Sequence, residues 1–359
     1  MDKKLLMRGS QVIGEAAIRA GCRFYAGYPI TPQNEIPEFM SGAMADLEGG
    51  TFIQAESEIA AINMVIGASM AGARAMTSSS SPGISLKQEG ISFLAALELP
   101  AVIVNVMRGG PGLGNIAPSQ GDYFQATRGG GHGDYRSIVL APAHGQELAD
   151  LTRKAFEYAD RYRTPVMILA DGMMGQMMEP VVFPDPINLD ELPPKPWVLD
   201  GAQGRPSRII KSLILDTVEM EEHNWKLDRK YKIISGEIPH AETYMTEDAK
   251  LVVVAYGTAA RIARGGIKRA REMGLKVGLL RPVTLWPFPD RAIREMSRLV
   301  KDFMVFEMNT GQMIDDVRLS LEGRSNVHFY GRPGGIVSTP DEIGKAISSL
   351  YYRQHLKED

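Results

Sequence analysis

The chain has 359 residues and a net charge of −3, with 44% hydrophobic and 23% charged residues. This length predicts two or three domains of roughly 100–200 residues each, and the composition is typical of a globular protein. The slightly acidic balance argues against a nucleic-acid-binding surface. We expect no membrane span, because no stretch of about 18 apolar residues is uninterrupted. Since the N-terminus shows no secretory signal pattern, we expect a cytoplasmic protein.

Metal-binding residues are scarce in the chain. Cys22 is the only cysteine, and the six histidines lack a spacing typical of a metal site. One thiol cannot form an internal disulfide, and an iron–sulfur cluster needs about four ligands. We therefore expect no metal on this chain, so any redox chemistry must depend on a bound cofactor or on another subunit.

The first candidate site residue follows a short buried strand, Phe24–Tyr28. The strand runs into four further residues, Pro29, Ile30, Thr31 and Pro32. The two prolines restrict the backbone and favour an extended Thr31. Thr31 could instead cap the helix expected near Gln33, because threonine is a common N-cap. The residues alone leave both interpretations open.

A pair of carboxylates marks the next strand-to-helix junction. The strand Phe52–Ala55 leads directly into Glu56, Ser57 and Glu58. A glutamate at a helix start has an ordinary structural role, since it complements the helix dipole. Two glutamates separated by one residue cannot share a helix face, so we expect one to face inward and the other to face water. Ligands bind at the carboxyl ends of strands in open α/β sheets, which makes Glu58 a candidate cofactor residue.

The helix after Glu58 carries small residues at helical spacing: Ala60, Ala61, Met64, Ala68 and Ala71. Because small side chains allow close approach, we expect this face in a crowded interior. The next strand ends in a serine-rich turn at 78–83, which resembles a ligand loop but could equally be a flexible turn. Residues 100–107 form a continuous apolar strand, as in a parallel sheet buried on both faces. Arg108 ends that strand at the same edge of the sheet.

A glycine-rich segment, residues 109–133, contains nine glycines. Its composition alone indicates a flexible loop. Polar and aromatic residues are interleaved with the glycines, however, and a long loop of this kind in a compact domain is more often an active-site loop. His132 is a possible catalytic base within it.

Alternating strand and helix patterns predict an α/β fold with two parallel-sheet layer domains joined by a long arm. We assign residues 1–182 to the first domain, residues 183–245 to the connecting arm, and residues 246–359 to the second domain. A proline-rich segment marks the start of the arm. The chain contains neither a Rossmann fingerprint nor a P-loop.

Five motifs together resemble the α-type subunit of the 2-oxoacid:ferredoxin oxidoreductases, which use thiamine diphosphate. They are Tyr28–Pro32, Gln54–Glu58, Thr77–Gly83, Met107–Arg108 and Asp171–Gly172. The resemblance covers essentially the whole chain, and is greatest for the branched-chain (2-oxoisovalerate) enzymes, then the 2-oxoglutarate enzymes. It implies a thiamine-diphosphate pyrimidine-binding domain followed by a transketolase-C-like domain.

The resemblance also assigns roles to individual residues. Glu58 would hydrogen-bond N1′ of the aminopyrimidine, and Thr31 and Arg108 would meet the 2-oxo-carboxylate of the substrate. Arg108 has the fork geometry suited to a carboxylate. Further cofactor-binding positions would be Tyr28, Pro29, Ile30 and Ser81.

The family pattern implies that thiamine diphosphate is shared with a partner subunit. In the family, a GDG motif and a later Asn hold the Mg²⁺ that binds the diphosphate; here Ala170 replaces the first Gly, and no suitable Asn follows. We therefore expect the Mg²⁺ and the 4Fe–4S clusters on partner subunits. The implied partners are a β-type subunit, γ-type and ferredoxin-like subunits, ferredoxin, coenzyme A and a 2-oxoacid.

The implied reaction converts a 2-oxoacid to acyl-CoA and CO₂, with electrons passing to ferredoxin. No extra cationic residue marks a pocket for a second carboxylate, which favours a branched-chain substrate over 2-oxoglutarate. Three alternatives stay open: a 2-oxoglutarate enzyme, a non-redox thiamine-dependent decarboxylase subunit, and a non-catalytic scaffold.

Overall fold

Strands and helices alternate along residues 4–355, the part of the chain that the computed structural model describes. The first half contains β1 (Leu5–Arg8), α1 (Gly9–Arg19), β2 (Phe24–Gly27), α2 (Glu35–Ala45), β3 (Thr51–Gln54), α3 (Glu58–Met70), β4 (Ala75–Ser79), α4 (Ser81–Ala96), β5 (Ala101–Met107), α5 (Tyr123–Arg128), β6 (Ile138–Leu140), α6 (Gly145–Tyr162), β7 (Pro165–Asp171), α7 (Gly172–Gln176) and β8 (Met178–Val181). The second half contains a short 3₁₀ helix (Leu189–Glu191), α8 (Thr217–Glu237), β9 (Ala241–Tyr244), β10 (Leu251–Val254), α9 (Gly257–Glu272), β11 (Val277–Pro282), β12 (Thr284–Trp286), α10 (Asp290–Met296), β13 (Asp302–Glu307), α11 (Met313–Leu321), β14 (Asn326–Gly331) and α12 (Pro340–His355).

The first sheet has seven strands in the order β12-β6-β7-β5-β4-β2-β3. All neighbouring pairs are parallel except β12 with β6. The second sheet has five strands in the order β14-β13-β10-β11-β9, and only β9 runs antiparallel to its neighbour. The predicted α/β fold with two mostly parallel sheets is therefore confirmed.

Two strands cross the boundaries drawn from the sequence. β9 lies within residues 183–245, yet it pairs with β11 of the second sheet. β12 lies in the C-terminal part of the chain, yet it pairs with β6 at the edge of the first sheet. Each of these two strands pairs with a sheet beyond the boundary drawn next to it. The division at 182 and 245 therefore stays a prediction.

The central strand β5 shows why the first sheet needs helices on both faces. Its side chains alternate between two core clusters: Val102, Val104 and Val106 face one, and Ile103 and Met107 face the other. The second of these clusters continues into buried residues of β10, β13 and α11. One face of the first sheet thus packs toward the second sheet, and the whole of β5 is buried as predicted.

The connecting arm is anchored to the first sheet by charge. Helix α8 (Thr217–Glu237) lies within the predicted arm. Lys226 and Lys230 both contact the Glu98 carboxylate, which lies in the turn before β5. The Lys230 ammonium also donates to the backbone oxygen of Arg163 at 3.0 Å.

The expected small-residue face of α3 is wrong in part. Ala61 is fully buried, but Ala60, Met64 and Ala68 are only half-buried and Ala71 is exposed. The face that packs inward is instead lined by larger residues: Ile62, Val65 and Ile66. Hydrophobic burial of branched side chains outweighs the close approach that small residues would permit.

Candidate active site

The carboxyl edge of the first sheet brings the predicted site residues together. Because β2, β3, β4, β5 and β7 run parallel, the segments that follow them meet at one edge. These segments hold all the candidate residues: Tyr28, Pro29, Ile30, Thr31, Glu58, Ser81 and Arg108. This edge is where ligands bind in open α/β sheets.

Glu58 begins helix α3 and is 6% exposed. The Ser57 hydroxyl caps the helix by accepting from the backbone N–H of Ala60 at 3.1 Å. Capping by Ser57 leaves the Glu58 side chain free of that role. Glu56 is exposed. The prediction that one glutamate faces inward and the other faces water is confirmed.

The Glu58 carboxylate packs beside Gly83 in the first turn of α4. A Cβ added at Gly83 would overlap the Ser79 hydroxyl and approach Glu58 Oε1 to 2.7 Å, so only glycine permits this packing. The hydroxyls of Ser79 and Ser80 are buried and have no hydrogen-bond partner among residues 4–355. Buried polar atoms are normally paired, so the Ser79 hydroxyl, which lies beside the Glu58 carboxylate, fits a polar ligand such as an aminopyrimidine.

A buried network holds the loop after β2. The Ser78 hydroxyl lies 2.6 Å from the Tyr25 hydroxyl and donates to Gln33 Oε1. The Gln33 amide in turn donates to the backbone oxygen of Tyr28 at 3.2 Å. The loop is thereby fixed, while the Tyr28 and Thr31 side chains at its surface stay exposed.

Arg108 lies next to that loop and is 7% exposed. Its guanidinium donates to the backbone oxygens of Thr31 and Leu113, both at 2.9 Å. Its Nε has no partner among the described residues. Helix α2 begins at Glu35, with Asn34 in the N-cap position, so Thr31 does not serve as the N-cap. Thr31 and Arg108 are therefore neighbours, joined through the threonine backbone rather than its hydroxyl.

A third carboxylate, Asp122, completes this region and was only one of several polar residues noted in the glycine-rich loop. It accepts hydrogen bonds from the Ser81 hydroxyl at 2.6 Å and from the Asn105 amide at 2.9 Å. Burial raises the pKa of the Asp122 carboxyl above its usual range, and the two donors oppose that rise. Ser81 thus connects this acid to Arg108, whose backbone N–H donates to the same hydroxyl.

A cavity of about 420 Å³ opens beside Arg108. It is lined by Ser81, Pro82 and Ser85 of α4, by Arg108 after β5, by Gly110, Pro111, Gly112, Ser119, Gly121, Asp122 and Gln125 of the glycine-rich segment, and by Asn309, Thr310, Gln312, Pro333 and Gly334 of the C-terminal part. Glu58 and Thr31 are not among its lining residues. The cavity therefore contains the candidate carboxylate-binding arginine, and Glu58 lies outside it.

The glycine-rich loop is fixed against the second sheet rather than free. The Gln120 side chain donates to the backbone oxygen of Tyr256 and accepts from the backbone N–H of Met308. The Tyr123 hydroxyl donates to Asp316 at 2.6 Å, and Arg128 pairs with the same carboxylate at 2.8 Å. His132 lies on an exposed stretch of this loop. These contacts explain how a segment with nine glycines can carry ordered site residues.

Lys87 is a residue that sequence reasoning missed. It lies on α4, is fully buried, and donates to the backbone oxygen of Glu58 at 3.2 Å. Lysine is normally exposed, so nothing in its own identity marks it. The available signal was spacing, because Gly83, Lys87 and Gly90 recur on one helical face.

The other residues that could bind a metal ion have different surroundings. Asp171 caps α7 by accepting from the backbone N–H groups of Met173 and Met174. Cys22 is buried, and that burial raises its pKa to about 12. Within residues 4–355 no group of three or more His, Cys, Asp or Glu side chains could hold a metal ion. None of the helices in that range is long and apolar enough to cross a membrane.

Comparison with known proteins places this site in a family. Residues 15–246 match the thiamine-diphosphate-binding domain family of pyruvate flavodoxin/ferredoxin oxidoreductases, and residues 249–343 match core domain II of pyruvate:ferredoxin oxidoreductase. The chain is 50% identical over 330 residues to ketoisovalerate oxidoreductase subunit VorB of Methanothermobacter marburgensis, covering 92% of this chain and 93% of that subunit. It is 37% identical over 369 residues to 2-oxoglutarate synthase subunit KorA of Methanothermobacter thermautotrophicus, covering 96% and 98% respectively.

A solved structure shares the fold. The 2-oxoglutarate:ferredoxin oxidoreductase of Magnetococcus marinus, solved with 2-oxoglutarate, coenzyme A and succinyl-CoA bound, superposes with a TM-score of 0.83 at 26% identity. The match covers 97% of this chain and 65% of that one, so the present chain spans about two thirds of the solved chain's length. With the motifs and the site geometry, these matches establish that the chain belongs to the α-type subunits of the 2-oxoacid:ferredoxin oxidoreductases.

Proposed function

We propose that the chain contributes the aminopyrimidine half of a thiamine-diphosphate site to a branched-chain 2-oxoacid:ferredoxin oxidoreductase. The observation that carries this proposal is the buried Glu58 carboxylate beside the Ser79 hydroxyl, which has no partner among the described residues. Glu58 would exchange a proton with N1′ of the aminopyrimidine, a role for which a positioned carboxyl group is suited. When bound, the cofactor supplies the electron sink that decarboxylation of a 2-oxoacid requires.

The remaining site residues would bind the substrate and the cofactor and orient them. Arg108 is buried at a cavity wall and would meet the substrate carboxylate with its guanidinium, aided by Thr31. A guanidinium held by two backbone oxygens is already oriented, which lowers the entropy lost on binding. The loop residues Tyr28, Pro29 and Ile30, together with Ser81, would border the cofactor.

The other half of the site would come from a β-type subunit. Asp171, the residue closest to a metal-binding motif in the sequence, accepts two backbone hydrogen bonds as a helix cap. Since that carboxylate is already engaged, the Mg²⁺ and the diphosphate would be held by the partner. The 4Fe–4S clusters would also lie on partner subunits, because this chain has one cysteine. γ-type and ferredoxin-like subunits, ferredoxin and coenzyme A would complete the reaction.

The cavity favours a substrate with one carboxylate. Among the described residues that line it, Arg108 is the only cationic one, and Asp122 in the same lining would repel a second carboxylate. A second carboxylate without a cationic partner would be desolvated at a cost of about 1–3 kcal/mol or more. Similarity to a ketoisovalerate subunit supports the same preference. We therefore propose 2-oxoisovalerate or a related branched-chain 2-oxoacid as the substrate.

A 2-oxoglutarate enzyme is the second candidate. Similarity to 2-oxoglutarate synthase subunits and to a solved 2-oxoglutarate enzyme favours it. Assaying the assembled complex with both acids separates the two. We expect kcat/KM for 2-oxoisovalerate to exceed that for 2-oxoglutarate by at least about tenfold, which corresponds to roughly 1.4 kcal/mol. A ratio in the opposite sense would assign the 2-oxoglutarate reaction.

The substitution Glu58→Gln tests the function itself. It keeps the size of the side chain and removes the proton-exchanging carboxyl group. In the assembled complex, assayed with a viologen acceptor, we expect turnover to fall at least about 100-fold, within the range for loss of an acid–base group. The exposed neighbour offers a matched control, Glu56→Gln, which should retain turnover. Wild-type turnover in the Glu58→Gln complex would instead indicate a scaffold. Decarboxylation without acceptor reduction in the wild-type complex would indicate a non-redox decarboxylase.

A further inference from the structure

Lys87 occupies a position where a charged side chain is rare. Among the described residues it is the one lysine that is fully buried, and it lies in the middle of helix α4. Lysine is almost never fully buried unless its charge is paired. Its ammonium donates to the backbone oxygen of Glu58 at 3.2 Å.

The surroundings of Lys87 disfavour a charged ammonium for two reasons. Burial removes the ammonium from water, and it lowers the Lys87 pKa to about 8. The ammonium also lies at the N-terminal end of α3, where the helix dipole disfavours positive charge. Among the described residues, Glu58 is the charged side chain that acts in the other direction and stabilises the ammonium.

The helix face that carries Lys87 is built for contact with α3. Gly83, Lys87 and Gly90 are spaced by four and three residues, so they share one side of α4. A Cβ at Gly90 would come within 2.5 Å of the Ile62 side chain on α3, and one at Gly83 would crowd Glu58. The two glycines let the helices approach closely, and Lys87 reaches between them to the first turn of α3.

We propose that Lys87 is a positioning residue for Glu58. Its ammonium fixes the first turn of α3 through the Glu58 backbone oxygen, and its charge stabilises the Glu58 carboxylate next to Ser79 and Gly83. The inference rests on the function proposed above, in which Glu58 meets the aminopyrimidine. Lys87 would act through Glu58, whose backbone oxygen its ammonium contacts.

The test compares Lys87 with a second poorly exposed lysine. Lys230, in α8, is also poorly exposed, with a pKa lowered to about 8, but it pairs with Glu98 in the turn before β5. Lys87→Met and Lys230→Met each replace a poorly exposed lysine with an apolar side chain of similar length. We expect Lys87→Met to weaken binding of thiamine diphosphate to the assembled complex about tenfold by calorimetry. We expect it to lower kcat about 10- to 100-fold, as for a small displacement of a reacting group, with KM for the 2-oxoacid unchanged.

Further variants separate positioning from simple destabilisation. Lys230→Met should retain wild-type cofactor affinity and kcat, and Lys87→Arg should restore part of both because it keeps a cation. Cofactor affinity and kcat within twofold of wild type in Lys87→Met would overturn the inference. If Glu58→Gln keeps full turnover, the proposed function fails; if Glu58→Gln is inactive while Lys87→Met behaves as wild type, only the role of Lys87 fails.

A second measurement covers the case in which Lys87→Met does not assemble. In Glu58→Gln the Lys87 ammonium loses its opposite charge, so the melting temperature of the full chain should fall at pH 7. At pH 9.5 most of Lys87 is neutral, given a pKa of about 8, so the difference from wild type should shrink. An equal difference at both pH values would overturn the inference.

Discussion

The two sheets each place a buried glutamate near their carboxyl edge, and the two glutamates differ in what surrounds them. At the end of β13, Glu307 is fully buried and accepts from the backbone N–H groups of Gln312, Met313 and Ile314 and from the Asn309 amide. After β3, Glu58 lies beside the Ser79 hydroxyl, which has no partner in the described part of the chain. A carboxylate with its hydrogen bonds complete stabilises a fold, whereas one beside unpaired donors is suited to a ligand.

The two glutamates also differ in whether the neighbouring helix depends on their side chains. Glu307 bonds to the first turn of α11, so removing it should affect folding first. Burial raises the pKa of Glu307, and the backbone donors oppose that rise. Glu58 begins its own helix while Ser57 supplies the cap, so its side chain is not needed for that helix to form. We therefore expect variants at Glu307 to act mainly on stability, and variants at Glu58 to act mainly on activity.

The largest effect on stability should come from Glu307→Ala. It leaves several backbone N–H groups of α11 without an acceptor and opens a cavity, so the free energy of unfolding should fall by about 3–4 kcal/mol. Urea denaturation of the full chain measures this change. The exposed control Glu56→Ala should stay within about 0.5 kcal/mol of wild type. A loss below about 1 kcal/mol in Glu307→Ala would contradict the structural role.

The second-largest effect on stability should come from Lys87, and it should depend on pH. Its pKa falls from 10.5 in the unfolded chain to about 8 in the fold. Below pH 8 the Lys87 ammonium is charged in the folded chain, and its burial lowers the free energy of unfolding by the full amount. This loss of stability disappears as the pH rises to about 10.5, where the lysine becomes neutral in the unfolded chain as well. Lys87→Met should therefore be more stable than wild type at pH 7, by at most about 3 kcal/mol, and equal to it near pH 10.5. An advantage that does not change with pH would contradict this assignment.

Gly83→Ala should cause a smaller loss of stability, together with a loss of turnover. The added methyl group would displace Ser79 and Glu58, so we expect a destabilisation of about 2 kcal/mol from overpacking and a fall in turnover of at least about tenfold. Gly67→Ala is the matched control, because a Cβ at that helical glycine meets nothing within 4 Å. It should be neutral or stabilising by up to about 1 kcal/mol. Equal effects of the two variants on turnover would argue against a packed Glu58.

The smallest expected effect concerns the contact between the two sheets. Tyr123→Phe removes one hydrogen bond to Asp316, which keeps its pairing with Arg128. We expect a loss of about 1 kcal/mol in unfolding free energy with little change in turnover. Differential scanning calorimetry measures that loss. A large loss of turnover would mean that the glycine-rich loop has a direct role at the site.

Periodicity and residue chemistry predicted the features that depend on local sequence. The continuous apolar run of β5 specified a strand buried on both faces, and the one-residue separation of Glu56 and Glu58 specified opposite environments. Parallel strands then brought Glu58 and Arg108 to one edge. These conclusions needed only the alternation of strands and the geometry of a helix.

Features that depend on distant contacts were not predictable in the same way. Gln120 pairs with Met308 across the two sheets, and no local pattern specifies a partner that far along the chain. The inward face of α3 was misassigned, because which residues face inward depends on what packs against the helix. Lys87 was missed because lysine is exposed by default, and its spacing from Gly83 and Gly90 gains meaning only once α4 is packed against Glu58.

The central claim is that this chain holds one half of a cofactor site, and calorimetry with thiamine diphosphate tests it most directly. Titrating the cofactor with Mg²⁺ into the isolated full chain and into the assembled complex compares the half-site with the complete one. We predict micromolar or tighter binding by the complex and none at micromolar concentrations by the isolated chain. Micromolar binding by the isolated chain would contradict the account.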